Sequence, residues 1–158
     1  GIVAAAAGAW FAFNQLRETR RDRHIQVISD YGVRWDDERM IASRDLARDY
    51  SADDLARLAE LYPKPPREQE TERFPELQLV PNFFEDLAIM VECGNLELLW
   101  VAKSFRAVAL REWGYWRPAI LKMREESPTA YAEWERLVAD LRKPDAELEK
   151  RKKKKTRG

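Results

Sequence analysis

NFFEDLAIMVECGNLELLWVAKSFRAVALREW, residues 82–113, is the stretch that decides the fold. Phe83, Phe84, Leu87, Ala88 and Val91 recur at spacings of three and four, the rhythm of one face of an α-helix. Asn82 with Glu85 three positions on has the form of a capping box and predicts a helix start there. Gly94-Asn95 then predicts a glycine stop followed at once by a new cap, hence a tight helix–helix turn. Leu96, Leu99, Trp100, Phe105 and Val108 carry the next helix towards Trp113.

The same punctuation organises the flanks. Gly114 and Pro118 predict a break, with Pro118 tolerated in a first turn. Ser127-Pro128 predicts a cap and first-turn proline opening a last helix through Tyr131, Trp134, Leu137 and Leu141, which Pro144 closes. Upstream, Ser51 and Asp54 form a cap before Leu55, Leu58 and Leu61, and Pro63 ends that helix. Met40, Ile41, Ala47 and Tyr50 mark another helix; Ile25, Val27, Ile28 and Tyr31 mark the first, with its stop at Gly32. Residues 63–81 hold Pro63, Pro65, Pro66, Pro75 and Pro81 and read as the one long loop, with Leu77, Leu79 and Val80 laid across the helices. No alternating strand and no internal repeat occur. The expected fold is all-α: an amino-terminal, partial transmembrane helix running into an antiparallel helical bundle of about five or six helices.

VPNFFEDLAIMVECGNLELLWVAKSF, REWGYWRPAI and the later YAEWERL resemble the bacterial family known as domain of unknown function 4760. The resemblance covers roughly residues 1–142. It is carried by the Asn-Phe-Phe-Glu box, the Gly94 turn, the Trp at 113 and the Tyr-x-x-Trp-Glu segment. It implies a small helical body, often preceded by a membrane segment, and supplies no catalytic residue.

The net charge of zero is a cancellation of 28 basic against 28 acidic side chains. Residues 1–16 carry no charge, while 17–23 carry +2 and 150–157 carry +7, so a total of zero leaves −9 on residues 24–149. Gly1–Phe13, GIVAAAAGAWFAF, has no polar side chain. Thirteen helical residues reach about 20 Å, short of the ~30 Å hydrocarbon core. The stretch therefore reads as the carboxy-terminal part of a span whose remaining apolar residues lie upstream. Trp10, Phe11 and Phe13 take the interfacial positions, and Arg17, Arg20, Arg21 and Arg23 place the body in the cytoplasm by the positive-inside rule. The competing readings are a buried core helix and a signal peptide, and bulky Trp10-Phe11 fits small-residue cleavage poorly. The expected organisation is a membrane segment at 1–16, a cytoplasmic helical domain at 17–142 and a disordered basic tail at 143–158. The expected location is the bacterial inner membrane, single-pass.

Chemistry-bearing residues are few. One cysteine, Cys93, and one histidine, His24, exclude a disulfide framework and the paired ligands of common metal motifs. Cys93 reads as a buried small residue and His24 as a solvated helix residue. Glu85, Asp86, Glu92, Glu97, Arg106 and Arg111 form a polar constellation, best explained by capping and by Arg–carboxylate pairs. Arg111, Trp113, Tyr115, Trp116 and Arg117 are the candidate partner patch, because Trp, Tyr and Arg dominate interface hot spots; filling the bundle end is the rival reading. The tail Lys150, Arg151, Lys152, Lys153, Lys154, Lys155 and Arg157 is a candidate for attraction to anionic lipid. Nucleic acid would draw the same charges, but the acidic body argues against a broad surface for it. No phosphate-cradling loop or nucleophile elbow occurs, so no enzyme class and no cofactor is expected. The reading is a membrane-anchored interaction or scaffold module. Its rivals are a cryptic enzyme using carboxylates or Cys93, and a soluble nucleic-acid-associated protein using the tail.

Overall fold

The computed structural model describes residues 2–61 and 74–149, with the side chains of 2–14, 17 and 20 outside that description. Every regular element among these residues is an α-helix. They are α1 (Ile2–Trp35), α2 (Glu38–Arg48), α3 (Ala52–Leu61), α4 (Phe74–Leu77), α5 (Leu79–Glu92), α6 (Leu98–Glu126) and α7 (Ala132–Leu141), followed by α8 at 145–149. The described helices thus outnumber the five or six expected. Among them none is long and apolar enough to cross a membrane.

The long α6 is the spine. α3 packs along it, α5 and α7 close its other side, and the end of α1 lies across it. Each partner contributes one apolar stripe: Leu55 and Leu58 from α3, Phe83, Phe84 and Leu87 from α5, Trp134, Leu137 and Leu141 from α7. Burying each such side chain contributes about 1.5–3 kcal/mol. The stripes meet in a ring cluster where Trp35 lies 5.0 Å from Phe83 and 5.3 Å from Phe84, and Phe84 stacks on Trp134 at 5.0 Å.

Local signals hold where the helix end is solvated. Ser51 Oγ accepts from the Asp54 amide at 3.1 Å while Asp54 Oδ2 accepts from the Ser51 amide at 3.1 Å, the reciprocal capping box that starts α3. Gly94 adopts φ 74°, the left-handed conformation that ends α5 and turns the chain into α6. The new cap there is Glu97 rather than Asn95.

Elsewhere tertiary packing overrides punctuation. Gly32 does not stop α1, which runs on until Trp35 is buried against α5 and Asp37 caps α2 through the Arg39 amide. Of the first-helix residues, Val27, Ile28 and Tyr31 pack on the core, whereas Ile25 is exposed. Leu61, assigned to the apolar face of α3, is exposed too. The expected loop at 63–81 is helical from 74 onward, with Pro75 and Pro81 in first turns where a missing N–H costs nothing; residues 62–73 lie outside the description. Asn82 is not a helix start, because α5 begins at Leu79.

Gly114 and Pro118 do not break α6. Pro118 lies inside the helix, and Trp113, Trp116, Ala119 and Ile120 are buried on either side of it. Their burial outweighs the one hydrogen bond to the Gly114 carbonyl that a proline cannot make. Ser127 ends α6 rather than opening α7, whose first residue is Ala132. Residues 145–149, expected in a disordered tail, are helical with Leu148 buried. The tail from Lys150 to Arg157 lies outside the described residues, as do the side chains of Trp10, Phe11, Phe13, Arg17 and Arg20.

Candidate functional site

The densest polar contact network joins α5 to the start of α7. α7 has no cap of its own: Tyr131 precedes it with φ 54°, and no side chain of that residue bonds the first turn. Its amide donors are met from α5 instead. Glu85 Oε2 accepts from the Trp134 amide at 2.7 Å and Oε1 from the Glu133 amide at 3.3 Å. Asn82 Oδ1 accepts from the Tyr131 hydroxyl at 2.8 Å. Arg124 of α6 donates to the Ala130 carbonyl at 2.8 Å, to the Tyr131 carbonyl at 3.3 Å and to Glu135 at 2.7 Å. A left-handed tyrosine costs of order 1–3 kcal/mol, so this geometry persists because its surroundings enforce it.

A carboxylate at a helix amino terminus satisfies orphan donors and meets the positive end of the macrodipole. Burial nevertheless pushes the Glu85 carboxyl above its ordinary range, with nearby Glu133 adding to the rise. The bonds from the Trp134 and Glu133 amides and the Arg124 charge oppose it. Both carboxylate oxygens are engaged by backbone, which makes this group a lock on α7.

The rest of the polar constellation is dispersed. Asp86 pairs with Arg34 at 2.9 Å, Arg106 reaches Asp145 near the chain's last described helix, and Arg111 holds neighbouring Glu112 at 2.8 Å. Glu92 is exposed at the end of α5. Glu97 meets His24, whose Nε2 lies 3.6 Å from Oε1 and whose Nδ1 lies 3.1 Å from the Asn95 carbonyl. His24 is therefore not a solvated helix residue: its side chain is 12% exposed and fixes α1 to the α5–α6 turn. Cys93 is exposed, not buried. Among the described residues no three His, Cys, Asp or Glu groups converge as metal ligands.

The partner patch is also corrected. Trp113 and Trp116 are buried in the core, and the Tyr115 hydroxyl donates to the Ala47 and Tyr50 carbonyls at the end of α2. The rings fill the bundle, with Trp113 lying 5.1 Å from Trp134 of α7, and only Arg111 and Arg117 remain at the surface. Arg21 and Arg23 of the collar are exposed on α1.

Sequence reading missed the partnership of Asn82 and Glu85 with residues 131–134. The signal was present in two separate pieces, an Asn-x-x-Glu and a Tyr-x-x-Trp, each with a local explanation that concealed the other. Fold and site together define an all-helical bundle whose last long helix is capped from a neighbouring helix. The chain belongs to the family described as Domain of unknown function (DUF4760), whose model matches residues 2–141. Neither a curated protein nor a solved structure matches it.

Proposed function

We propose that the protein is a membrane-anchored helical module facing the cytoplasm, with a role in interaction or scaffolding. One observation carries the reading: the uncharged run from Ile2 to Phe13 and the basic collar that follows it belong to the same helix that docks into the body. Among the described side chains, contacts of α1 with the body begin at His24 and continue through Val27, Ile28, Tyr31 and Trp35, while Leu16, Glu18, Thr19 and residues 21–23 are exposed. An uncharged apolar run next to a collar of arginines has lipid as its natural solvent, with the arginines at headgroup level. Seven cationic residues in 150–157 add attraction to an anionic leaflet of about 1 kcal/mol per residue near the surface. On the body, Val33 at 71% exposure and Ile89 at 43% offer apolar contact points to a partner.

Cell fractionation with a carbonate wash tests the anchor. Retention in the membrane pellet is expected, together with release when Ala6 and Ala7 are both replaced by Arg. Release of the unaltered chain by carbonate would overturn integral insertion.

A further inference from the structure

Side-chain contacts fix which parts of the chain share an end of the bundle. His24 on α1 meets the Asn95 carbonyl and Glu97 at the α5–α6 turn, whereas Arg34 and Trp35, at the close of the helix, meet Asp86 and Phe83 near the start of α5. α1 therefore runs antiparallel to α5, with its basic collar beside that turn. α7 runs parallel to α5: its first turn bonds Glu85, and further on Leu137 and Asp140 line a small cleft with Val91, Glu92 and Leu98. The chain then passes through α8, whose Asp145 pairs with Arg106 of α6 and whose Leu148 is buried, and the cationic run begins at Lys150. Arg106 stands about 12 Å along α6 from Leu98, and α8 adds about 6 Å. Eight residues, 150–157, reach at most about 26–29 Å when extended, so they span back to the collar. From the far end of α6, about 42 Å away, they would not.

Charge follows the same axis. Residues 36–61, which form α2 and α3, carry eight acidic side chains against four basic. Tyr115, which bonds the Ala47 and Tyr50 carbonyls, places the join between these two helices about 26 Å along α6 from its start. At the collar end, residues 92–110 and 136–149 together carry six acidic side chains against five basic, close to balance. The acidic excess of α2 and α3 thus lies more than two Debye lengths of about 8–10 Å from that end. We infer that the end of the bundle formed by the α5–α6 turn and the close of α7 faces an anionic bilayer, with the collar arginines and the cationic run at 150–157 gripping headgroup phosphates of one leaflet. Insertion of the apolar run makes the second contact intramolecular, so seven weakly attracted charges act at high effective concentration. This surface rests on the membrane-anchored reading, and adds to it the charge of the lipid and the face turned towards it.

The whole chain reconstituted in vesicles with a headgroup-attached quencher provides the test. Its single cysteine, Cys93, is exposed at the α5–α6 turn and takes a fluorophore. Cys93→Ser combined with Thr129→Cys moves the label to an exposed turn beyond the far end of α6. Quenching at Cys93 should exceed that at position 129, and should rise when phosphatidylglycerol is added to phosphatidylcholine. The rise should vanish when all seven cations of 150–157 are replaced by Gln, with thermal unfolding unchanged. It should vanish too in salt of about 1 M, where the Debye length falls to about 3 Å. Equal quenching at the two labels, a rise that persists in the Gln variant, or no rise at all in vesicles from which carbonate fails to extract the chain would overturn the surface and leave the anchor standing. Extraction from both kinds of vesicle would remove the anchor and the surface with it. Loss of the rise to a DNA oligonucleotide of matched charge would assign the cations to nucleic acid instead.

Discussion

Replacing Glu85 by Ala removes the acceptor for two amide donors in the first turn of α7. Loss of an N-cap costs about 0.5–2 kcal/mol, and loss of a carboxylate beside the helix dipole adds about 0.3–1 kcal/mol. The released desolvation and the relief of repulsion with Glu133 act in the other direction. The expected net destabilisation is about 1–2 kcal/mol at neutral pH, read from urea unfolding followed by tryptophan fluorescence. Trp134 reports on the event because it stacks on Phe84 and donates its own amide to Glu85. The pH dependence is the sharper test. The folded protein raises the Glu85 pKa above the ordinary 4.5, so folding takes up a proton. The contribution of this group is fully present below the unfolded value and is lost as pH rises through the folded one. The advantage of the natural chain over Glu85→Gln should therefore grow as pH falls from neutral towards 4.5, and level off below. Unchanged stability of Glu85→Ala, with amide protection at 133 and 134 intact, would refute the lock. An advantage that shrinks on acidification would show that the amide bonds, not burial, govern the carboxyl.

Trp116→Ala should cost about 3–5 kcal/mol and lower Tm steeply, whereas Arg111→Ala stays within about 0.5 kcal/mol; the reverse order would return the aromatic cluster to the surface. Pro118→Ala restores a helical amide and should stabilise by about 1–3 kcal/mol, so a fall in Tm would mean that the proline is required by packing. Ser51→Ala should cost about 1 kcal/mol in denaturant unfolding, and it should lessen the depression of the Asp54 pKa by removing the hydroxyl's share while the amide at position 51 keeps its own. The natural Asp54 contribution is present above the unfolded pKa and lost as pH falls through the folded one, which the acid limb of unfolding reads directly. Tyr115→Phe removes the hydroxyl that ties α6 to the Ala47 and Tyr50 carbonyls at the end of α2 and should cost about 1 kcal/mol, measured by the same titration.

The helical class was legible because apolar spacing of three and four runs through nearly every described segment. Ser51 and Gly94 were read correctly for a shared reason: each acts on backbone within a few residues of itself. Asn82 and Glu85 show the limit of that logic. Their spacing is that of a capping box, but the groups they serve, the Tyr131 hydroxyl and the Glu133 and Trp134 amides, lie some fifty residues away, and periodicity contains no term for such a partner. Pro118 and Ser127-Pro128 failed for a related reason. A proline's local cost is fixed, whereas the burial that outweighs it at Trp113, Trp116 and Ile120 exists only in the assembled bundle. His24 was misplaced by weighing only its arginine neighbours in sequence, when its ring is set by Asn95 and Glu97.

Because α1 continues without interruption from Ile2 to Trp35, its two ends share a screw axis. Phe13 and His24 are eleven helical steps apart, a rise of about 17 Å, and each residue between them sets an angle as well as a height. One residue inserted among positions 15–22 would turn the bundle by about 100° relative to the apolar end and lift it by about 1.5 Å. Seven inserted residues, close to two full turns, would restore the heading while lengthening the stalk by about 10 Å. A helical stalk of this kind couples the direction a surface faces to its distance from the apolar end, which a loose linker of equal length cannot do.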